Sequence, residues 1–296
     1  MKPSYIGGQA VLEGVMMKNK NTYAVAVRKP DGEITVDVKN VKRGKIVEAV
    51  KNIPILRGVV NFVDSLVIGM STLTYSASFY EEEEEKPVSE KKEKFMMGMT
   101  VLFSIVLAVA IFMLLPYGLS LFFGRFTDSV VLLSLIEGII RLIIFLLYVW
   151  GISLMEDIRR VYMYHGAEHK CINCIESGLE LNVENVRKSS RMHKRCGTSF
   201  LLFVMIVSII VFSFITAPSP VLRLVLRLLL IPLVAGISYE IIRLAGRSEN
   251  RIVSLISKPG LCLQHLTTRE PEDDMIEVGI ASVEAVFDWK KFLEEF

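Results

Sequence analysis

The chain has 296 residues, enough for one large or two ordinary domains. Hydrophobic residues make up 52% of it before Gly is counted, against roughly 45–50% with Gly included in soluble domains, and mean hydropathy is +0.45. Residues 95–124 and 198–222 carry no charged side chain, whereas a membrane-crossing helix needs about 20 largely apolar residues; a soluble globular protein is excluded. With 34 basic and 32 acidic residues the net charge is +2, so a strongly basic nucleic-acid binder is excluded as well. Four Cys do not make a disulfide scaffold, and the first forty residues lack the apolar core of a signal peptide.

Residues 1–94 read as an N-terminal cytosolic region. Gly7-Gly8, a short apolar run and Gly14 form a glycine-bracketed loop or strand. Residues 23–27 and 34–38 are β-prone and flank Pro30-Asp31-Gly32, which predicts a hairpin. Residues 55–80 are long and mostly apolar but carry Arg57, Asn61 and Asp64. A charge costs about 2.5–3.5 kcal/mol at mid-bilayer, so this segment is expected to be a cytosolic or interfacial helix. The run of acids at 81–85, with Lys86-Pro87 and Lys91-Lys92-Glu93-Lys94, reads as a charged linker.

Residues 95–154 are expected to hold transmembrane helices 1 and 2, at about 96–123 and 129–154, joined by a short hairpin at 124–128. Residues 155–198 form a cytosolic loop. Residues 199–245 hold helices 3 and 4, at about 199–216 and 222–244, with a turn at Ala217-Pro218-Ser219-Pro220 and a kink at Pro232 and Gly236. Residues 246–296 are a C-terminal cytosolic segment. In it Glu272-Asp273-Asp274 starts a helix whose stripe is Ile276, Ile280, Val283 and Val286. The fold class is predominantly α: a polytopic membrane protein with about four transmembrane helices and a small mixed α/β cytosolic unit.

Lys and Arg set the orientation, because their excess near the ends of spans stays in the cytoplasm. Fifteen precede residue 95, eight lie in 155–197 and seven follow from 243, against one in the 124–128 hairpin and none in 217–221. The expected location is the cytoplasmic membrane with both termini cytosolic, and the lipid bilayer is the first partner. Spanning by 55–80 would break that parity. Glu137 and Arg141 stand four apart within helix 2, as a functional pair or a self-neutralising one. Glu240 with Arg243 allows the same reading, while Arg223 and Arg227 are expected to snorkel to the headgroups.

Chemistry concentrates in the central loop. Three of the four His and three of the four Cys fall within residues 165–196. His165-Gly166-Ala167-Glu168-His169 is an H-x-x-E-H arrangement, followed by Cys171, Cys174 and His193-Lys194-Arg195-Cys196. If helix 2 continues through residues 156–160, His165 and His169 stand one turn apart and their imidazoles can grip one ion. Glu168 flanks that face as general base, as in an inverted zincin motif. His193 and Cys196, an i, i+3 pair, supply two further ligands. Nitrogen and sulfur donors favour Zn2+ over Mg2+ or Ca2+ and admit Fe2+. In the competing reading these His are interfacial side chains and Cys171 and Cys174 only occupy a helix face; Cys262 and His265 read as packing.

Four blocks resemble the YqhQ family of bacterial multi-pass membrane proteins: residues 7–17, Tyr164-His165-Gly166-Ala167-Glu168-His169-Lys170, Arg195-Cys196-Gly197-Thr198-Ser199-Phe200 and Leu266-Thr267-Thr268-Arg269-Glu270-Pro271. The resemblance implies a metal-dependent enzyme with His165, Glu168, His169, His193 and Cys196 on the motif positions; Cys171 departs from a hydroxyl residue in that pattern. It also leaves room for Glu13 as an extra carboxylate, or for an ordinary glycine turn there. Two functions follow. One is a metal-dependent hydrolase at the cytosolic membrane face. The other is a scaffold or assembly factor with a structural metal, docking other membrane proteins or the insertion machinery. Transport, resting on Glu137, Arg141 and Glu240, would need a homo-oligomer to enclose a pathway.

Overall fold

The computed structural model describes residues 2–41, 44–80, 90–215, 219–246 and 250–295. Most of the predicted charged linker, at 81–89, and Ala217-Pro218 of the predicted turn lie outside the described residues. Four strands come first: β1 (Gly7–Val11), β2 (Gly14–Asn19), β3 (Thr22–Arg28) and β4 (Ile34–Asn40). The helices are α1 (Lys45–Val50), α2 (Leu56–Ala77), α3 (Glu90–Val109), which runs through a π-helical turn at Ala110–Leu114 into α4 (Leu115–Phe123), and α5 (Val130–Ile152). They continue with α6 (Glu156–Glu176), α7 (Val183–Lys188), α8 (Gly197–Ser213), α9 (Pro220–Ala245), α10 (Arg251–Thr267), α11 (Asp273–Glu284) and α12 (Trp289–Glu294). The chain divides into two compact units, one comprising Met1–Tyr80, Trp150–Phe203 and Ala235–Phe296, the other Glu81–Val149 and Val204–Val234.

In the first unit the strands make an antiparallel meander in the order β1-β2-β3-β4. The predicted hairpin is β3–β4, with Ala24 opposite Val38 and Ala26 opposite Val36. The glycine-bracketed segment becomes a second hairpin, Val11 opposite Gly14, in which Glu13 takes a positive φ of 48°. Side chains alternate between faces along a strand, and both faces are covered. Val15, Met17 and Ala26 share a core with Cys171, Ile172 and Ile175 of α6 and with Met275, Ile276, Val278 and Val283 of α11. On the other side Met16, Tyr23, Val25 and Val27 pack with Ile68 and Tyr75 of α2. Each large apolar side chain so buried contributes about 1.5–3 kcal/mol.

Helix α6 is not the continuation of the second membrane helix that its sequence invites. α5 ends at Ile152, Met155 is extended (φ −73°, ψ 136°), and α6 restarts with Glu156 and Asp157 at its positive end. The expected loop at 155–198 is therefore mostly helical, α6 and α7, with irregular backbone at 177–182 and 189–196. The acidic start and apolar stripe expected near the C-terminus are α11, with Ile276 and Val283 fully buried.

Four helices among the described residues are long and apolar enough to cross a membrane: Leu56–Ala77, Phe95–Phe123, Val130–Ile152 and Val221–Ala245. Their number is the expected one; their membership differs by one. α8 has 17 residues and rises about 25 Å, at the lower limit for a bilayer core of about 30 Å. α2 qualifies by its length and hydropathy despite its charges, and polar groups near its start have partners. Arg57 Nε donates to Glu240 at 2.6 Å and Asn61 Nδ2 to the Tyr239 hydroxyl at 2.8 Å. Glu240 lies 3.9 Å from Arg243, its expected partner, so Arg57 is the closer one.

In the second unit, Ser134, Glu137, Gly138, Arg141, Phe145 and Val149 form the buried stripe of α5 at helical spacing. Arg141 Nη2 donates to Glu137 at 2.7 Å, so the predicted pair forms. Arg227 also donates to Glu137 and is only 3% exposed; it turns inward instead of snorkelling.

Candidate metal centre

All the residues of the predicted site lie in the first unit. On α6, His165 and His169 stand one turn apart with ring centroids 4.4 Å from each other. His165 Nδ1 is 2.8 Å from the Thr267 carbonyl oxygen and His169 Nδ1 is 2.6 Å from that of Arg191. A carbonyl only accepts, so each Nδ1 carries a ring proton, and Nε2 is the atom left to ligate once it gives up its own proton to an incoming metal. Cys196 immediately precedes α8, and its Sγ lies 3.2 Å from His165 Nε2. Donor atoms of His165, His169 and Cys196 all fall within 4.8 Å of one another. Glu168 Oε2 adds an oxygen 3.8 Å from His165 Nε2 and 3.5 Å from His169 Nε2. Tetrahedral zinc, with bonds of about 2.0–2.3 Å, sets neighbouring donors about 3.3–3.8 Å apart; the three donors, within 4.8 Å of one another, are close enough together to hold a metal ion.

Electrostatics favour the ligating form of the sulfur. Burial opposes charging Cys196, but the His165 and His169 rings beside it hold its thiol well below the ordinary value. Burial likewise opposes charge on His165, and the neighbouring Cys196 nonetheless lifts that ring to about 9. The Thr198 backbone N–H donates to Cys196 Sγ at 3.4 Å, and the Thr198 hydroxyl is 3.1 Å away. A thiolate held by cations and donors at a helix start is the state that binds soft metals.

Two glycines explain why the site closes so tightly. A Cβ on Gly8 of β1 would lie 2.7 Å from Glu168 Cγ, so the sheet edge lies directly on that carboxylate. Gly166, inside the motif, lets the backbone carbonyl of Arg269 pass against α6, and Arg269 N–H bonds to the Tyr162 carbonyl at 2.8 Å. Gln264 of α10 clamps the backbone of His193, accepting from its N–H and donating to its carbonyl, both at 2.8 Å, and also donates to Ser199 Oγ.

His193 is not brought into the three-donor group. Its ring centroid is 5.7 Å from that of His169, and its Nε2 is 3.7 Å from Glu176 Oε2. The backbone there is irregular, so the i, i+3 spacing to Cys196 sets no common face. Burial works against the Glu176 carboxylate, yet His193, Arg195 and Ser4 hold it down to about 2. Cys171 and Cys174 point into the apolar core, and Cys262 is exposed. Glu13 joins no ligand group. It takes both Arg160 nitrogens, Nε at 2.5 Å, and the Tyr164 hydroxyl at 3.1 Å. The carbonyls of Arg191 and Thr267 and the Gln264 clamp were not legible as site elements; only the Thr267 block stood out in the sequence, as part of the resemblance.

The class defined so far is a helical membrane protein with a β-meander sandwiched between helices and a buried His/His/Cys/Glu cluster beside it. The chain matches the family model described as "Protein of unknown function (DUF1385)" over residues 53–289. It is 38% identical over 290 residues to "Uncharacterized protein YqhQ" of Bacillus subtilis (strain 168), covering 95% of this chain and 91% of that protein. The chain belongs to this family, as the four sequence blocks imply. Membership by itself carries no metal-dependent activity. No solved structure matches.

Proposed function

We propose that the chain is a zinc-binding, multi-pass protein of the cytoplasmic membrane, with both termini cytosolic and the metal held by His165, His169 and Cys196. The two Nδ1–carbonyl bonds carry this reading, since they leave Nε2 of each ring as its ligand atom, within 4.8 Å of the other ring's donor and of the Cys196 sulfur. Nitrogen and sulfur donors select zinc, with ferrous iron the competitor. The cytosolic placement rests on the Lys and Arg of residues 2–94, 155–197 and 243–291.

The site is better suited to holding than to turnover. Glu168 stands at ligand distance from both rings, and Glu168, His169 and Cys196 are each at most 5% exposed. A closed four-donor site of this kind is structural. It ties α6 to the 191–196 segment and the start of α8, in a protein that serves as a scaffold for other membrane proteins. One observation favours a hydrolase instead: Glu168 beside both Nε2 atoms is also where a general base would stand.

Metal analysis of the detergent-purified protein tests the reading. The wild type is expected to retain stoichiometric zinc and His169→Ala to lose it; metal-free wild type after purification without chelator overturns the proposal. Glu168→Gln separates the two roles. A staple loses zinc affinity and melts earlier, whereas a hydrolase keeps both and loses only its cellular role.

A further inference from the structure

The apolar spans of the second unit carry more positive than negative charge. Within 95–123, 130–149, 204–215 and 219–234 the charged side chains are Glu137, Arg141, Arg223 and Arg227, one carboxylate to three guanidiniums. Arg141 is satisfied: it donates to the Phe112 carbonyl at 2.9 Å, to Ser208 Oγ at 3.3 Å and to Glu137. Arg227 gives one nitrogen to Glu137 as well, but neither Arg227 nor Arg223 is fully satisfied. The Nε of each is buried without a hydrogen-bond partner, a costly state for a charged group away from water. Both line a cavity of about 140 Å³ together with Leu114, Tyr117, Val221 and Leu224. Arg223 stacks over the Tyr117 ring at 5.8 Å and Arg227 over Phe212 at 5.4 Å, so the guanidinium planes are held in place.

We propose that this cavity binds the phosphate group of an anionic membrane phospholipid, with Arg223 and Arg227 donating to its oxygens. Guanidinium groups match phosphate oxygens in geometry and charge, and one bound anion offsets part of the surplus that Glu137 leaves. The remaining lining is apolar, and Leu114 and Val221 are 47% and 71% exposed on the lipid-facing surface. An acyl chain can follow that surface out of the cavity, which a free anion has no use for.

The test is native mass spectrometry of the full chain in neutral detergent, titrated with phosphatidylglycerol, phosphatidylcholine or inorganic phosphate. Wild type is expected to retain phosphatidylglycerol in preference to phosphatidylcholine. Arg223→Gln is expected to weaken that binding about tenfold, the loss of one charge-assisted hydrogen bond. Leu224→Trp, which fills the cavity without altering charge, is expected to do the same, with unfolding temperature checking that both variants fold. Equal retention of the two lipids, unchanged binding in both variants, or displacement of the lipid by inorganic phosphate each overturns the proposal.

Discussion

At the scale of single residues, the cluster rests on contacts that one methyl group can disturb. Gly8→Ala pushes a Cβ into Glu168, and we expect metal affinity to fall about 10–100-fold, the usual cost of disturbing a ligand's support, while the β-sheet circular-dichroism signal is kept. Gly166→Ala is expected to be harsher, because its Cβ would lie 2.0 Å from the Arg269 carbonyl oxygen, against 2.7 Å from the Met16 carbonyl oxygen and from Glu168 Cγ at Gly8. Glu13 gives a pH signature. Burial raises its pKa, but Arg160 and Tyr164 together hold it below its ordinary 4.5. Its contribution is therefore complete above that value and lost as pH falls through the depressed one. Glu13→Gln should melt earlier at neutral pH and show a flatter acid limb in thermal unfolding from pH 6 downward. The donors themselves were legible: His165 and His169 are four apart, and a helix puts such residues on one face. The Nδ1 partners were not, because a backbone carbonyl has no residue type to mark it.

At the scale of elements, the sandwich of α11 and α6 on the sheet is where stability resides. Ile276→Ala and Ile172→Ala each remove a fully buried side chain and are expected to cost about 2–5 kcal/mol, read as a lowered unfolding midpoint with zinc saturating. The β3–β4 hairpin was readable from alternation and Pro-Asp-Gly. β2 was harder to read, because Gly14-Val15-Met16-Met17 is apolar on both faces and shows no alternation; both faces turn out to be covered. The break at Met155 was hidden for a similar reason. Residues on either side are good helix formers, and only the extended Met155 backbone, with two acids after it, separates α5 from α6. His193 shows the opposite error, a helical spacing read into backbone that is irregular.

For the whole molecule, the decisive question is how many helices cross. α2 has the length but packs its second half beneath the sheet, where Leu12 N–H also bonds to Ser76 Oγ at 3.1 Å; α8 has the hydropathy but only 17 residues. Read from sequence, these two rank the other way, because the charges of α2 are weighed there and its 22-residue length is not. If both termini are cytosolic as proposed, a cysteine placed at Phe126 in a Cys262→Ser background, the other three Cys being buried, should react with an impermeant maleimide in intact cells. One placed at Asn40 should react only after permeabilisation; labelling of Asn40 in intact cells would reverse the orientation.

The cluster draws on stretches of chain far apart in order: residues 165–169, then 191–196, then the carbonyl of Thr267. During synthesis the imidazole of His165 has no fixed tautomer until residue 267 has left the ribosome, by which time α9 at Pro220–Ala245 has already been made. Capture of the proposed metal would thus be a late event in biogenesis, and a nascent chain arrested before α10 would emerge unable to keep the ion.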